Sequence, residues 1–218
     1  MKIAVLGTGM VGDAIGSKLV ELGHEVMMGS RTTDNEKALG FAAKFPGKAG
    51  AATFADAIAF GELVFNCIKG ENSVDALRAG VNALDGKIVV DISNPLDFSK
   101  GMPPSLIPEL SNTHSLGEEL QKTFPQARIV KTLNTMWCGI MVNPNMIGGG
   151  NHVNFICGDD SAAKEAVRQL LGTFGWKQEN ILDLGGISAA RGTEGVLPVW
   201  LRIWGATQNG AFNFQIVS

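Results

Sequence analysis

The chain has no tyrosine, and only three histidines and three cysteines among its 218 residues. Without tyrosine it cannot build the phenolic proton donor, set beside a lysine, on which short-chain dehydrogenases depend. Cys67, Cys138 and Cys157 are scattered and odd in number, and they read as reduced thiols of a cytoplasmic protein. No histidine stands in a His-Asp pair, and neither a metal-ligand spacing nor a nucleophile motif is present. The net charge of −3 and the lack of any lysine or arginine run argue against nucleic acid or an anionic membrane as partner. No apolar stretch is long enough to span a bilayer, and Asp13 interrupts what might pass for a secretory leader. Internal repeats and low-complexity linkers are lacking too. The expectation is one domain over residues 1–218, with 189–218 as a C-terminal helical extension.

What the chain does have is concentrated in its first thirty-one residues. Lys2-Ile3-Ala4-Val5-Leu6 is a short apolar run, suited to a strand buried on both faces. It runs into Gly7-Thr8-Gly9-Met10-Val11-Gly12, and then Val11, Ile15, Leu19 and Leu22 recur at helical spacing. Gly23-His24 ends that helix, and Glu25 to Met28 reads as a second strand. Strand, glycine turn, helix and strand form the unit that cradles a dinucleotide pyrophosphate. Gly7 permits the tight turn, Gly9 the approach of backbone to pyrophosphate, and Gly12 the packing of helix on strand. The helix start offers free N–H groups and the positive end of its dipole.

The end of the second strand selects the dinucleotide. An NAD site usually carries an acidic residue there, which binds the ribose hydroxyls. This chain reads Gly29-Ser30-Arg31-Thr32-Thr33 instead. Ser30 and Thr32 can donate hydrogen bonds to a 2′-phosphate, and Arg31 can pair with it or lie over the adenine. Asp34 and Glu36 fall beyond the usual position. The expected cofactor is NADP(H).

Further strands are expected at Ala49 to Thr53, Glu62 to Ile68, Lys87 to Ile92, Arg128 to Leu133, His152 to Cys157 and Ile181 to Leu184. Helices between them include Glu36 to Phe45, Phe54 to Phe60, Ser73 to Leu84, Ser115 to Phe124 and the stretch from Ala163 to Phe174 with an Asp at its start. A final helical region, Ala189 to Phe212, contains Pro198, which is expected to kink or break it. Alternation of this kind gives an α/β fold, a Rossmann-like doubly wound and mainly parallel sheet. Ligands on such a sheet lie at the carboxyl ends of its strands. That selects Thr8 to Val11 for pyrophosphate, and Ile68 to Gly70, Ser93 to Leu96 and Asn134 to Trp137 around the nicotinamide.

Those loops are poor in acid–base groups. Lys69 can serve as a proton donor or as a phosphate contact, and Asn94 and Asn134 can orient a ligand but cannot shuttle protons. Pro95, Leu96, Met136, Trp137 and Ile140 offer a flat apolar surface. Direct hydride transfer between two planar redox rings suits such a site, because it needs stacking and water exclusion more than an acid. No side chain is therefore expected to be catalytic in its own right, and the expected acceptor is of deazaflavin or flavin type.

The chain resembles the deazaflavin-dependent NADP reductases, the coenzyme F(420):NADP oxidoreductase family. It is also similar to the NADPH-binding oxidoreductase domain of the STEAP metalloreductases. The resemblance is carried by the glycine turn, Gly23-His24-Glu25-Val26, Gly29-Ser30-Arg31, Asp91-Ile92-Ser93-Asn94-Pro95 and Val130-Lys131-Thr132-Leu133-Asn134-Thr135. Cys157-Gly158-Asp159-Asp160, Asp183-Leu184-Gly185 and Ala190-Arg191 extend it along the whole chain. It implies phosphate binding at Ser30-Arg31 and an acceptor over the nicotinamide near Cys67 to Lys69, Ser93 to Leu96, Asn134 and Ser188. The archaeal deazaflavin enzymes carry a His where Asn134 stands, and the segment after it differs. An ordinary flavin, a ferric chelate or a small organic acceptor stays open beside deazaflavin, as does a non-catalytic NADP sensor. Leu197, Trp200, Leu201 and Trp204 fall on one helical stripe, with an apolar tail at Phe212, Phe214 and Ile216. That much apolar surface is expected to be covered in a homodimer to which residues 189–218 contribute.

Overall fold

A computed structural model describes residues 1–217; Ser218, the last residue of the expected C-terminal extension, lies outside the described residues. The first half winds outward and back. β1 (Lys2–Leu6), α1 (Met10–Glu21), β2 (Glu25–Ser30), α2 (Glu36–Lys44) and β3 (Ala49–Thr53) run to one edge, and α3 (Phe54–Phe60) returns the chain to β4 (Leu63–Asn66) on the other side of β1. Then come α4 (Ser73–Arg78), β5 (Ile88–Asp91), a hairpin of β6 (Leu96–Asp97) and β7 (Ser105–Leu106), α5 (Leu116–Thr123) and β8 (Arg128–Thr132). α6 (Cys138–Val142), β9 (Asn154–Cys157), α7 (Ser161–Thr173), β10 (Ile181–Asp183) and α8 (Ala190–Thr207) complete the fold.

The sheet order is β10-β9-β8-β5-β4-β1-β2-β3. From β3 to β8 all neighbours are parallel, as the alternation predicts, whereas β9 pairs antiparallel with β8 and β10 parallel with β9. The strand order reverses between β1 and β4, which makes that point the crevice for a ligand.

Burial on both faces explains the apolar runs. Within β1, Ile3 and Val5 join one core cluster, while Ala4 and Leu6 join the other. The same period of two sends Phe65 to the first cluster and Val64 to the second, and likewise Val90 and Val89, then Val130 and Ile129. Each fully buried aliphatic side chain of this kind contributes about 1.5–3 kcal/mol. α7 starts at Asp160, whose carboxylate accepts from the Ala163 N–H at 2.8 Å, and seats Ala163, Val167, Leu170 and Leu171 on the first cluster.

Three expectations need correction. The helix expected over Ser73 to Leu84 stops at Arg78 and resumes only as a 3-10 turn at Val81–Ala83, because Gly80 falls between them. The proline-rich stretch contains the β6–β7 hairpin, held at its base by the Ile107 N–H donating to the Pro95 carbonyl. Pro198 does not break its helix: α8 continues through it to Thr207 and the remaining tail is irregular. Buried Glu194 and Leu197 on one side and buried Trp200 on the other anchor both halves, and tertiary contact outweighs the lost backbone bond. No helix among the described residues is long and apolar enough to cross a membrane.

Candidate active site

The glycine turn is shaped by what a side chain would strike. Gly7 has φ +107°, and a Cβ there would lie 2.8 Å from the Cys67 carbonyl oxygen. At Gly12 a Cβ would lie 1.9 Å from the Gly7 carbonyl oxygen, so α1 can approach β1 this closely only without one. Gly9, by contrast, faces open space. Gly9 is also the N-cap of α1, and no side chain caps that end, so its first amides remain available to an anion.

Thr8, Gly7 and Gly9 form the floor of a cavity of about 610 Å³ that extends to Ser30, Arg31 and Thr32 and, on the other wall, to Cys67, Ile68 and Lys69. Asn35, Lys37, Phe54 and Asn72 also line it, and the sequence reading had missed these four. Asn35 caps α2, accepting from the Ala38 N–H at 3.0 Å, so the helix begins right after the Arg31 loop and brings Lys37 to the cavity. An N-cap asparagine followed by an exposed lysine two residues on was the signal for it. Neither Asp34 nor Glu36 lines the cavity. The Ser30 hydroxyl donates to the Thr32 carbonyl at 2.5 Å, which tightens the loop; Arg31 and Lys37, with Lys69 on the other wall, are the cations that line the cavity.

A second cleft of about 200 Å³ opens beside Cys67, Ile68 and Lys69, which the two share. Val11, Ser93, Asn94, Leu96 and Phe98 enclose it, and the Lys69 ammonium sits 5.4 Å from the centre of the Phe98 ring. Met10 projects into solvent nearby. Two expected residues lie behind this surface rather than on it. Pro95 is buried, and Asn134 is 2% exposed. Asn134 acts through Asn94: its amide donates to Asn94 Oδ1 at 2.9 Å, and the Asn94 amide donates to the Asn134 carbonyl at 2.8 Å. Met136 and Ile140 belong to the core, so of that expected apolar surface Leu96 and Trp137 remain. Ser188 is exposed and lines neither cavity.

Beneath the Ser93 loop lies an ionic cluster that the sequence reading passed over. Lys131 on β8 is fully buried; its ammonium contacts Asp91 of β5 at 2.7 Å and Glu194 of α8 at 2.8 Å, and donates to the Ser93 carbonyl at 2.6 Å. Burial pulls the ammonium down, but the Asp91 and Glu194 carboxylates together hold it above its ordinary value. The second Asp91 oxygen accepts from the Asn66 amide at 2.8 Å, the Ser93 hydroxyl at 2.6 Å and the Ser93 N–H at 3.1 Å. Glu194 accepts from the Leu116 and Gly117 N–H groups at 2.9 and 3.0 Å, and so caps α5. The Ser93–Asn94 wall of the cleft is thus fixed from below by three strands and two helices.

Burial disfavours a thiolate at the cleft. Burial, and then the Asp91 charge, push the Cys67 thiol far up, and burial raises Cys138 as well. Cys157 is pushed up to about 12 by burial. The histidines are elsewhere: His152 is buried with its Nε2 at the Pro144 carbonyl, and His114 sits 3.1 Å from Glu119. Among the described residues no three His, Cys, Asp or Glu side chains cluster to hold a metal ion.

Comparison with known proteins agrees with this geometry. Residues 2–95 match the family model for coenzyme F(420)-dependent NADP oxidoreductases. A crystal structure of a provisionally assigned F(420)-dependent NADP reductase from Arthrobacter sp. FB24 is 48% identical, with a TM-score of 0.92 and full coverage of both chains. Metalloreductase STEAP3 of Rattus norvegicus is 29% identical over 91% of this chain, which spans only 38% of that curated relative's length. The fold alone is shared with a reductive aminase from Aspergillus terreus solved with NADPH, at 20% identity, a TM-score of 0.66 and coverage of 95% of this chain and 62% of that one. With 48% identity to that reductase over the full length of both chains, against 20% for the fold-only aminase, the chain belongs to the coenzyme F(420)-dependent NADP oxidoreductase family and is an NADP-dependent oxidoreductase.

Proposed function

We propose that NADP(H) lies along the 610 Å³ cavity, with its pyrophosphate over Thr8, Gly9, Met10 and Val11 and its 2′-phosphate at Arg31 and Lys37, and that a planar deazaflavin- or flavin-type acceptor takes hydride in the cleft beside Phe98. The observation that carries this reading is the open face of Gly9 leading, without an intervening carboxylate, to two cations. Bound NADPH supplies the hydride. The residues of the chain do the rest: Val11, Leu96 and Phe98 exclude water, Asn94 orients, and the ionic cluster keeps the Ser93–Asn94 wall rigid. NADPH oxidation against a panel of deazaflavin, flavin, ferric-chelate and quinone acceptors tests it. Binding of NADPH with no turnover on any of them would point to a sensor instead.

Lys69 stands between the two cavities, its ammonium 5.4 Å from the centre of the Phe98 ring. Lys69→Ala is expected to weaken acceptor affinity several-fold while leaving single-turnover hydride transfer within about an order of magnitude, the loss of one cation–π contact and one charge. A collapse of the single-turnover rate by several orders, with both ligands still bound, would make Lys69 an obligatory acid.

A second copy of the chain pairs through the outer edge of α8. Leu197 and Trp200 are buried and Trp204 turns toward a groove, so the stripe expected to be open is partly satisfied within the chain. Val199 on α8 is 53% exposed and Ile216 of the tail is 60% exposed, apolar side chains of the kind that two-fold pairing covers. Light scattering at micromolar concentration should give a dimer mass, and Val199→Glu should return it to the monomer without lowering the melting temperature. A wild-type monomer would refute the pairing.

A further inference from the structure

The cleft of about 200 Å³ is smaller than the roughly 300–1,000 Å³ of small-molecule sites, so an acceptor with its reactive ring there must reach beyond it. On one side the cleft runs into the cofactor cavity through Cys67, Ile68 and Lys69. On the other, Phe98 is also a wall of a groove of about 480 Å³. Met102, Leu201 and Trp204 carry that groove on into a hollow of about 320 Å³. The groove is aromatic: Trp137 and Trp204 line it, and each is 37% exposed, which leaves ring surface free to stack. Trp137 is the N-cap of α6, and its ring folds over Gly139, where a Cβ would strike it. The first charge met beyond Lys69 is Arg202 in the hollow, exposed and without an ion pair among the described residues. In a chain of net charge −3, no carboxylate among the described residues lines cleft, groove or hollow.

Resting on the cofactor and acceptor reading above, we infer that the flavin- or deazaflavin-class acceptor carries a phosphate on its ribityl arm, and that Arg202 reads it. The reactive part of the ring lies in the cleft, the rest of the molecule passes over Trp137 and Trp204, and the phosphate reaches Arg202. Each part of the path suits its portion of the ligand. An apolar groove walled by indoles holds a flat ring by stacking, whatever its substituents. Arg202 adds the discrimination, because a guanidinium pairs with phosphate oxygens through its fork of N–H donors. The lack of carboxylates along the path spares the anion any repulsion on the way. Arg202 stands at the end remote from the ring atom that takes the hydride, so it sets specificity and takes no part in the transfer.

The test uses the protein saturated with NADP⁺, which fills the cofactor cavity and delivers no hydride. It is titrated at low salt with FMN and riboflavin, identical but for the phosphate, and with 5-deazariboflavin and its 5′-phosphate, and ligand fluorescence reads the binding. In whichever ring class binds, the phosphorylated member should be tighter by roughly three- to tenfold, the scale of a charge-assisted contact at an exposed arginine. The margin should shrink as salt is added. Arg202→Gln should erase it, and Arg202→Glu should reverse it. Trp137→Ala should weaken both members of a pair alike, by roughly three- to tenfold, the worth of a lost aromatic stack. Equal affinity of the two members, a margin that survives Arg202→Glu, or indifference to Trp137→Ala would overturn this inference and leave the acceptor class standing. Normal NADP⁺ binding with neither ring class bound would overturn the acceptor class, and the inference with it. Failure of NADP⁺ itself to bind would overturn the cofactor reading beneath both.

Discussion

Lys131→Met should lower the unfolding free energy by about 3–5 kcal/mol, the usual result of removing one partner from a buried ion group. The substitution leaves the Asp91 and Glu194 carboxylates buried and facing each other's field with no cation between them. It also takes the ammonium from the Ser93 carbonyl, and so loosens the wall of the cleft. Denaturant titration of the two proteins measures the first effect. Replacing all three charges together, as Asp91→Asn, Lys131→Met and Glu194→Gln, should recover much of the loss, because the cost lies in the unpaired charge rather than in the missing contact. A single variant as stable as the parent would mean that water reaches the cluster. The dependence on pH follows from the raised ammonium. Its contribution is fully present below the unfolded value of about 10.4 and fades as pH climbs through the higher native one. Across neutral pH the cluster should therefore hold constant.

Arg31→Ala should weaken NADPH by roughly one to two orders of magnitude and leave NADH nearly unchanged, since a charge-assisted bond to phosphate is worth about 1.5–3 kcal/mol. Arg31 is exposed, forms no salt bridge among the described residues, and lines the cavity where a ribose 2′-phosphate would sit. Lys37 remains in the variant as a second cation, so the loss should fall toward the lower end and grow when both are removed. Direct titration with the two nucleotides decides it. Equal losses for NADPH and NADH would remove the specificity assignment.

The glycine turn and the buried strands were legible because their causes are local. Ile3 and Val5 against Ala4 and Leu6 form a pattern within five residues, and Gly7, Gly9 and Gly12 within six. The ionic cluster was not legible for the opposite reason. Lys131 on a strand reads as an outward-facing charge, and its partners stand at Asp91 and Glu194, far away along the chain. Nothing short-range marks Glu194 as the cap of α5 either, since the amides it serves belong to Leu116 and Gly117. The two-residue strands β6 and β7 are too short to carry a period. Pro198 misled because a local penalty was weighed without the burial on either side of it.

A chain cut anywhere between Asp183 and Glu194 would retain every strand of the sheet and still lack its electrical closure. Lys131 would meet one carboxylate instead of two, and the opening amides of α5 would have no acceptor. The helix that looks like an appendage in the order of elements is therefore the keystone of the sheet's centre. During synthesis the same condition holds until residue 194 has cleared the ribosome: all the strands emerge first, and the brace beneath the Ser93–Asn94 wall arrives after them.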